Sequence, residues 1–147
     1  MDEIKRKMSE IKWAYAESDP GALAELQRRI EDAGRREDLI TYSDLVKGVV
    51  FHLPNVNKGQ PFQIDIHEWS ILDRAILGEF LGLISTLSYR KAKFMASALV
   101  VNKMEFRPSD HFFQWVKQLG MLSSRDIDDF WQEQVRKAHD WFKDNSL

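Results

Sequence analysis

The sequence predicts a mostly helical α+β domain of about six helices, arranged around a buried central helix, with a small two-stranded β element. Three observations support this prediction. First, residues 69–87 carry apolar side chains at steps of three and four, which is the helical period, and further apolar residues widen that stripe. Second, five shorter amphipathic or capped segments flank that stretch. Third, only residues 62–66 and 96–101 have strand character.

The composition favours a packed, soluble domain. The chain has 147 residues, of which 44% are hydrophobic and 12% aromatic, and its formal net charge is −2. It contains no cysteine, which excludes disulfides, a thiol nucleophile and cysteine-ligated metal sites. The sequence shows no secretory signal and no charge-poor apolar run of about 18 residues. We therefore expect a cytoplasmic protein with no membrane contact and no cofactor.

The first part of the chain, residues 1–36, is predicted to be a helical hairpin. Residues 2–17 form one amphipathic pattern, and Pro20 suits the first position of a second helix. Gly34 is expected to end that helix in a left-handed conformation. We expect the hairpin to dock on an α+β core domain, residues 37–147, or to serve as a partner-binding or dimerising arm.

The core domain is predicted to begin with a third helix from about residue 40 to His52, capped by Thr41 or Ser43. A loop at residues 53–61 and a half-exposed strand at residues 62–66 follow. The central helix comes next, then a basic turn at residues 88–93 and a buried strand at residues 96–101.

Two further helices complete the predicted core. One begins at residues 108–110 and ends at Gly120. The other is capped within residues 123–126, where Ser123 and Asp126 have the spacing of a capping box, and it runs to Phe142.

No set of residues has the spacing of a familiar catalytic or metal site. His67 and Glu68 do not form the zincin helix motif, because Ile71 occupies the position four residues after the histidine. Asp65, Glu105 and Lys103 are the types that a magnesium nuclease uses, but their order differs from the usual one. We therefore assign no catalytic or metal-binding residues and keep a nuclease as an alternative.

One polar, cationic region is a candidate binding site. The predicted strand at residues 96–101 leads into Asn102 and Lys103, and a helix starts a few residues later. Because helix starts present free N–H groups, this region could receive an anion or a partner. The candidate binding residues are Tyr42, Ser43, Asn102, Lys103, Arg107, Ser109 and His111.

A spaced pattern of short motifs resembles a group of small bacterial α+β proteins of unknown function, some of them domains beside nucleases. The resemblance covers roughly residues 40–142 and implies no particular activity. The residues that carry it are Ile40-Thr41-Tyr42-Ser43-Asp44-Leu45, Ile76-Leu77-Gly78, Ser97-Ala98-Leu99-Val100-Val101-Asn102-Lys103, Pro108-Ser109, Phe112-Phe113, Leu119-Gly120 and Phe130-Trp131.

A fainter resemblance links residues 41–46 to the winged-helix domain of alkyltransferase-like DNA proteins. The reactive Pro-Cys-His-Arg motif of that family is absent, so the resemblance implies at most DNA binding. The third helix would then contact DNA together with basic residues, which are Lys47, Arg90, Lys91 and Lys93.

These observations predict a non-catalytic interaction or regulatory module that binds a protein partner or forms a homodimer. The bacterial resemblance implies a defence, toxin–immunity or mobile-element setting. Two alternatives stay open at this point: a winged-helix-like DNA-binding protein, and a metal-dependent nuclease.

Overall fold

A computed structural model describes residues 2–123 and 125–147 and confirms the mostly helical α+β fold. None of the helices in these ranges is both long enough and apolar enough to span a membrane. In chain order the elements are α1 (Glu3–Ser9), α2 (Ala14–Ser18), α3 (Pro20–Arg35), β1 (Ile40–Thr41), α4 (Tyr42–Val46), α5 (Ile71–Ala92), β2 (Val100–Val101), α6 (Asp110–Gln118) and α7 (Ile127–Phe142).

The central helix α5 begins at a capping box. The Ser70 hydroxyl accepts a hydrogen bond from the Asp73 N–H at 2.9 Å, and the Asp73 carboxylate accepts one from the Ser70 N–H at 3.0 Å. From Ile76 onward one face of the helix is fully buried, with Phe80 and Ile84 in the main hydrophobic cluster.

The expectation that α5 is buried on most sides is wrong for its first turn. Ile71 is 90% exposed and Leu72 is 44% exposed. Further along the helix, the Trp13 ring packs on Gly82. A Cβ added at Gly82 would lie 2.3 Å from that ring, so this close approach needs glycine.

The N-terminal segment forms two helices instead of the single helix predicted for residues 2–17. α1 ends at Ser9, residues 11–13 are not helical, and α2 begins at Ala14. The break places Trp13 on α5, and the Tyr15 N–H donates to the Glu79 carboxylate at 2.8 Å. These tertiary contacts outweigh the helical pattern of the segment.

The end of α3 also differs from the prediction. Gly34 lies within the helix, and the left-handed residue is Glu37, with a φ of 54°. Gly34 instead provides space for the buried ring of Phe142, since a Cβ on Gly34 would lie 2.6 Å from that ring. The domain boundary near residue 36 stays a prediction, although α3 packs against α7.

The predicted third helix is shorter than expected. Thr41 caps α4 as predicted, because its hydroxyl accepts from the Asp44 N–H at 3.1 Å. The helix ends at Val46, where the Arg29 guanidinium donates to the carbonyls of Leu45 at 3.0 Å and Lys47 at 2.7 Å. These side-chain bonds satisfy carbonyls that a continuing helix would have used.

One strand of the two-stranded sheet, β2, lies within the predicted segment 96–101, but its partner comes from a different segment than predicted. Ile40 and Thr41 form β1, which pairs in parallel with Val100 and Val101 of β2. The strand predicted at residues 62–66 is reduced to a single antiparallel bridge between Phe51 and Phe62.

Buried serines explain why residues 96–99 form a 3-10 turn and not the start of a strand. The Ser97 N–H donates to the Ser85 hydroxyl at 2.9 Å, and the Ala96 N–H donates to the Ser88 hydroxyl at 3.0 Å. These bonds to α5 replace the ladder bonds of a strand. The predicted basic turn at residues 88–93 is also wrong, because α5 continues to Ala92 and Lys93 then takes a left-handed φ of 58°.

The last two helices begin and end close to the predicted positions. α6 starts at Asp110, and Gly120 follows it with a φ of 83°. α7 is capped by Asp126, whose carboxylate accepts from the Asp128 N–H at 2.9 Å. Ser123 does not cap it, and Ser124 lies outside the described residues.

A side-chain hydrogen bond joins the chain's N-terminal segment to α5. The Tyr89 hydroxyl donates to the Asp2 carboxylate at 3.1 Å. Burial, followed by the hydrogen bond and charge of Asp2, raises the pKa of Tyr89 to about 12. Burial also opposes ionisation of Asp2, but hydrogen bonds from Tyr89 and from the backbone N–H groups of Lys5 and Ile4 outweigh it and lower the pKa of Asp2.

We expect one of the three tyrosines to titrate near pH 12. Because the folded pKa of Tyr89 exceeds its unfolded pKa of about 10, its stabilising effect is complete below pH 10 and declines as the pH rises towards 12. An ultraviolet absorbance titration of the native protein and of Tyr89→Phe checks this. The substitution should remove the late step, and a parent protein whose tyrosines all titrate near pH 10 would contradict the assignment.

Candidate functional site

The structure brings part of the predicted binding region together at the end of the small sheet. Because Thr41 pairs with Val101, Tyr42 and Asn102 follow neighbouring strands. The Tyr42 hydroxyl accepts a hydrogen bond from the Ser109 N–H at 2.9 Å. Ser43 lies half-buried in α4, and no hydrogen bond joins it to the other candidates within the described ranges.

Asn102 organises the loop that follows β2. Its N–H donates to the Arg107 carbonyl at 2.8 Å, and its carbonyl accepts from the Phe106 N–H at 2.9 Å. The Asn102 side-chain oxygen also accepts from the Glu105 N–H at 2.6 Å. Three hydrogen bonds therefore fix the backbone of residues 103–106, which we name the apex loop.

The apex loop exposes two large apolar side chains. Met104 is 93% exposed and Phe106 is 53% exposed. Phe106 also has a φ of 54°, in the left-handed region that bulky residues rarely occupy. A conformation of this kind costs about 1–3 kcal/mol and is concentrated at functional sites.

Arg107 fixes the base of the loop. Its guanidinium pairs with the Asp128 carboxylate at 3.0 Å and lies 4.9 Å from the centre of the Phe113 ring. It thus links the loop to both α6 and α7, and its role as a binding residue stays a prediction. Lys103 and His111 are exposed, and the Ser109 side chain makes no capping bond within the described ranges.

A groove of about 430 Å³ lies between α7 and the segment that precedes β1. We name it the α7 groove. Its apolar lining consists of Leu39, Trp131 and Val135, and its polar lining of Glu37, Gln132, Arg136, His139 and Asp140. Hydrogen bonds hold two of its walls, since the Trp131 Nε1–H donates to the Ala98 carbonyl at 2.8 Å and His139 Nε2 lies 2.9 Å from the Asp38 carbonyl.

The base of the apex loop and the α7 groove both involve residues of α7. Asp128, Gln132, Val135 and His139 follow one another at steps of four, three and four, so they form one stripe on the helix. Asp128, at the start of the stripe, holds Arg107 at the base of the loop. The other three line the groove.

The residues considered for a nuclease do not form a cation site. Within residues 2–123 and 125–147, no group of three or more histidine, aspartate or glutamate side chains is placed to hold a metal ion. Asp65 lies in a turn, where its carboxylate accepts from the His67 N–H at 2.9 Å. Lys103 and Glu105 belong to the apex loop instead.

The residues considered for DNA binding are exposed but lie on separate elements. Lys47 follows the five-residue α4, whereas Arg90 and Lys91 lie near the end of α5 and Lys93 directly follows it. The buried Leu45 and Val46 occupy the inner face of α4.

Sequence reasoning missed Met104, Phe106 and the α7 groove. The available signal was the alternation of charged and large apolar residues at positions 103–106, within a short polar connection. Comparisons of the chain with protein-family models, curated proteins and solved structures gave no match. A functional proposal therefore depends on the residues of the chain itself.

Proposed function

We propose that this protein is a non-catalytic interaction module that contacts a protein partner through its apex loop. The observation that supports the proposal is the exposure of Met104 and Phe106 on a loop with a fixed backbone. Methionine and aromatic side chains are enriched at protein interfaces. A loop that is already ordered loses less conformational entropy on binding.

The conformation of Phe106 supports the same proposal. An exposed turn position with a positive φ is occupied most easily by glycine or asparagine. Phenylalanine there adds backbone strain and leaves apolar surface in water. Contact with a partner would remove that surface from water and offset the cost.

The biological setting that we propose is regulatory and bacterial. It follows from the resemblance to small bacterial proteins, some of which are domains beside nucleases. In a defence, toxin–immunity or mobile-element system, such a module would recognise another protein.

Photo-crosslinking tests the proposal. A photoreactive residue replaces Met104 in one sample and Ile71 in the other, because both side chains are at least 90% exposed and apolar but lie on different elements. Irradiation in cells that naturally express the chain should give a protein adduct at position 104 and not at 71. Equal adducts at both positions, or no adduct at 104, would contradict the proposal.

The protein purified after irradiation is also tested for bound nucleic acid. Retention of DNA or RNA that weakens steeply with salt would indicate phosphate contacts. If nucleic acid were recovered without a protein adduct, the DNA-binding alternative would replace our proposal.

A further inference from the structure

We propose that the partner of the apex loop is a second copy of this chain, whose α7 groove receives Phe106. The inference rests on the proposed function, because it assigns a binding partner to the same loop. Each copy would insert its loop into the groove of the other and form a closed two-fold dimer.

The apolar lining of the groove suits an aromatic side chain. Leu39, Trp131 and Val135 offer apolar surface in a groove of about 430 Å³. An aromatic side chain such as Phe106 can pack edge-to-face or offset on the Trp131 ring. The hydrogen bond from Trp131 to the Ala98 carbonyl holds that ring in place before the partner arrives.

The charges of loop and groove are complementary. In the loop, Lys103 directly precedes Met104, and Glu105 lies between Met104 and Phe106. The groove carries Asp140 and Arg136, which make no ion pair in the described part of the chain. Lys103 can therefore meet Asp140 of the second copy while Glu105 meets Arg136.

The two features are joined through α7 within each copy, and a reciprocal dimer uses both of them. The stripe on α7 leads from Asp128, at the base of the loop, to Val135 and His139 in the groove. In a two-fold dimer each copy offers one loop and one groove, so both loops are seated at once. An isologous contact of this kind closes after two copies.

Analytical ultracentrifugation of the purified full chain tests the inference. The parent should form a concentration-dependent dimer. Lys103→Glu and Asp140→Lys should each weaken dimerisation by about tenfold, because each places like charges opposite one another. The double variant restores opposite charges at both contacts and should regain most of the affinity.

Lys12→Glu is the matched control, since it reverses an exposed lysine between α1 and α2 and should leave dimerisation unchanged. Thermal unfolding of each variant verifies that it is folded. A parent that stays monomeric throughout, or a double variant no better than the single variants, would overturn the inference. If the parent is monomeric but position 104 crosslinks a different protein, the self-association fails while the proposed function stands.

Discussion

Replacing Ile76 with alanine should lower the free energy of unfolding by about 2–5 kcal/mol, the usual cost of truncating a large aliphatic side chain in a core. Ile76 is fully buried in the main hydrophobic cluster, one helical turn after the capping box of α5. Truncation would remove apolar contacts and leave a cavity. Urea denaturation, followed by circular dichroism, measures the change.

The matched control is Ile71→Ala, on the same helix and with the same change in side chain. Ile71 is 90% exposed, so its replacement should change the free energy of unfolding by no more than about 0.5 kcal/mol. If the two variants lost equal stability, the placement of α5 in the core would be wrong.

Local signals explain the elements that the sequence predicts well. Asp126 starts α7 because its side chain accepts backbone N–H bonds, and Gly120 follows α6 because it readily takes a positive φ. Such preferences depend on a few neighbouring residues. They therefore remain visible in a single sequence.

Tertiary contacts explain the errors. The predicted helix at residues 2–17 is interrupted because Trp13 packs on Gly82. Residues 96–99 form a 3-10 turn because the Ser85 and Ser88 hydroxyls accept hydrogen bonds from their backbone N–H groups. The sequence does not show which distant residue will meet a given side chain. For the same reason, the pairing of β1 with β2 could not be predicted from the sequence.

At the candidate site, too, some features could be predicted from the sequence and others depend on tertiary contacts. Tyr42 and Ser109, which were predicted to belong to one region, do meet through a hydrogen bond. Arg107 was predicted to be available to a ligand, but its contact with Asp128 depends on the packing of α7. The exposure of Met104 could not be predicted, because an apolar residue in a sequence is ordinarily expected to be buried.

Replacing Phe106 with glycine separates a recognition role from a structural one. Glycine relieves about 1–2 kcal/mol of the backbone strain that the left-handed φ causes. This gain offsets the apolar contacts that are lost with the partly exposed phenylalanine ring. We therefore expect the free energy of unfolding to stay within about 0.5 kcal/mol of the parent, or to rise. Partner capture through position 104 and dimerisation should both be lost.

Lys58→Gly is the control, because Lys58 is also left-handed but lies in the loop before α5. It should relieve strain without affecting binding. The most direct test of the interaction surface is therefore to measure unfolding and association of Phe106→Gly side by side. Our account predicts retained stability and lost association, whereas a loss of about 3–5 kcal/mol, as for a core phenylalanine, or unchanged association would contradict it.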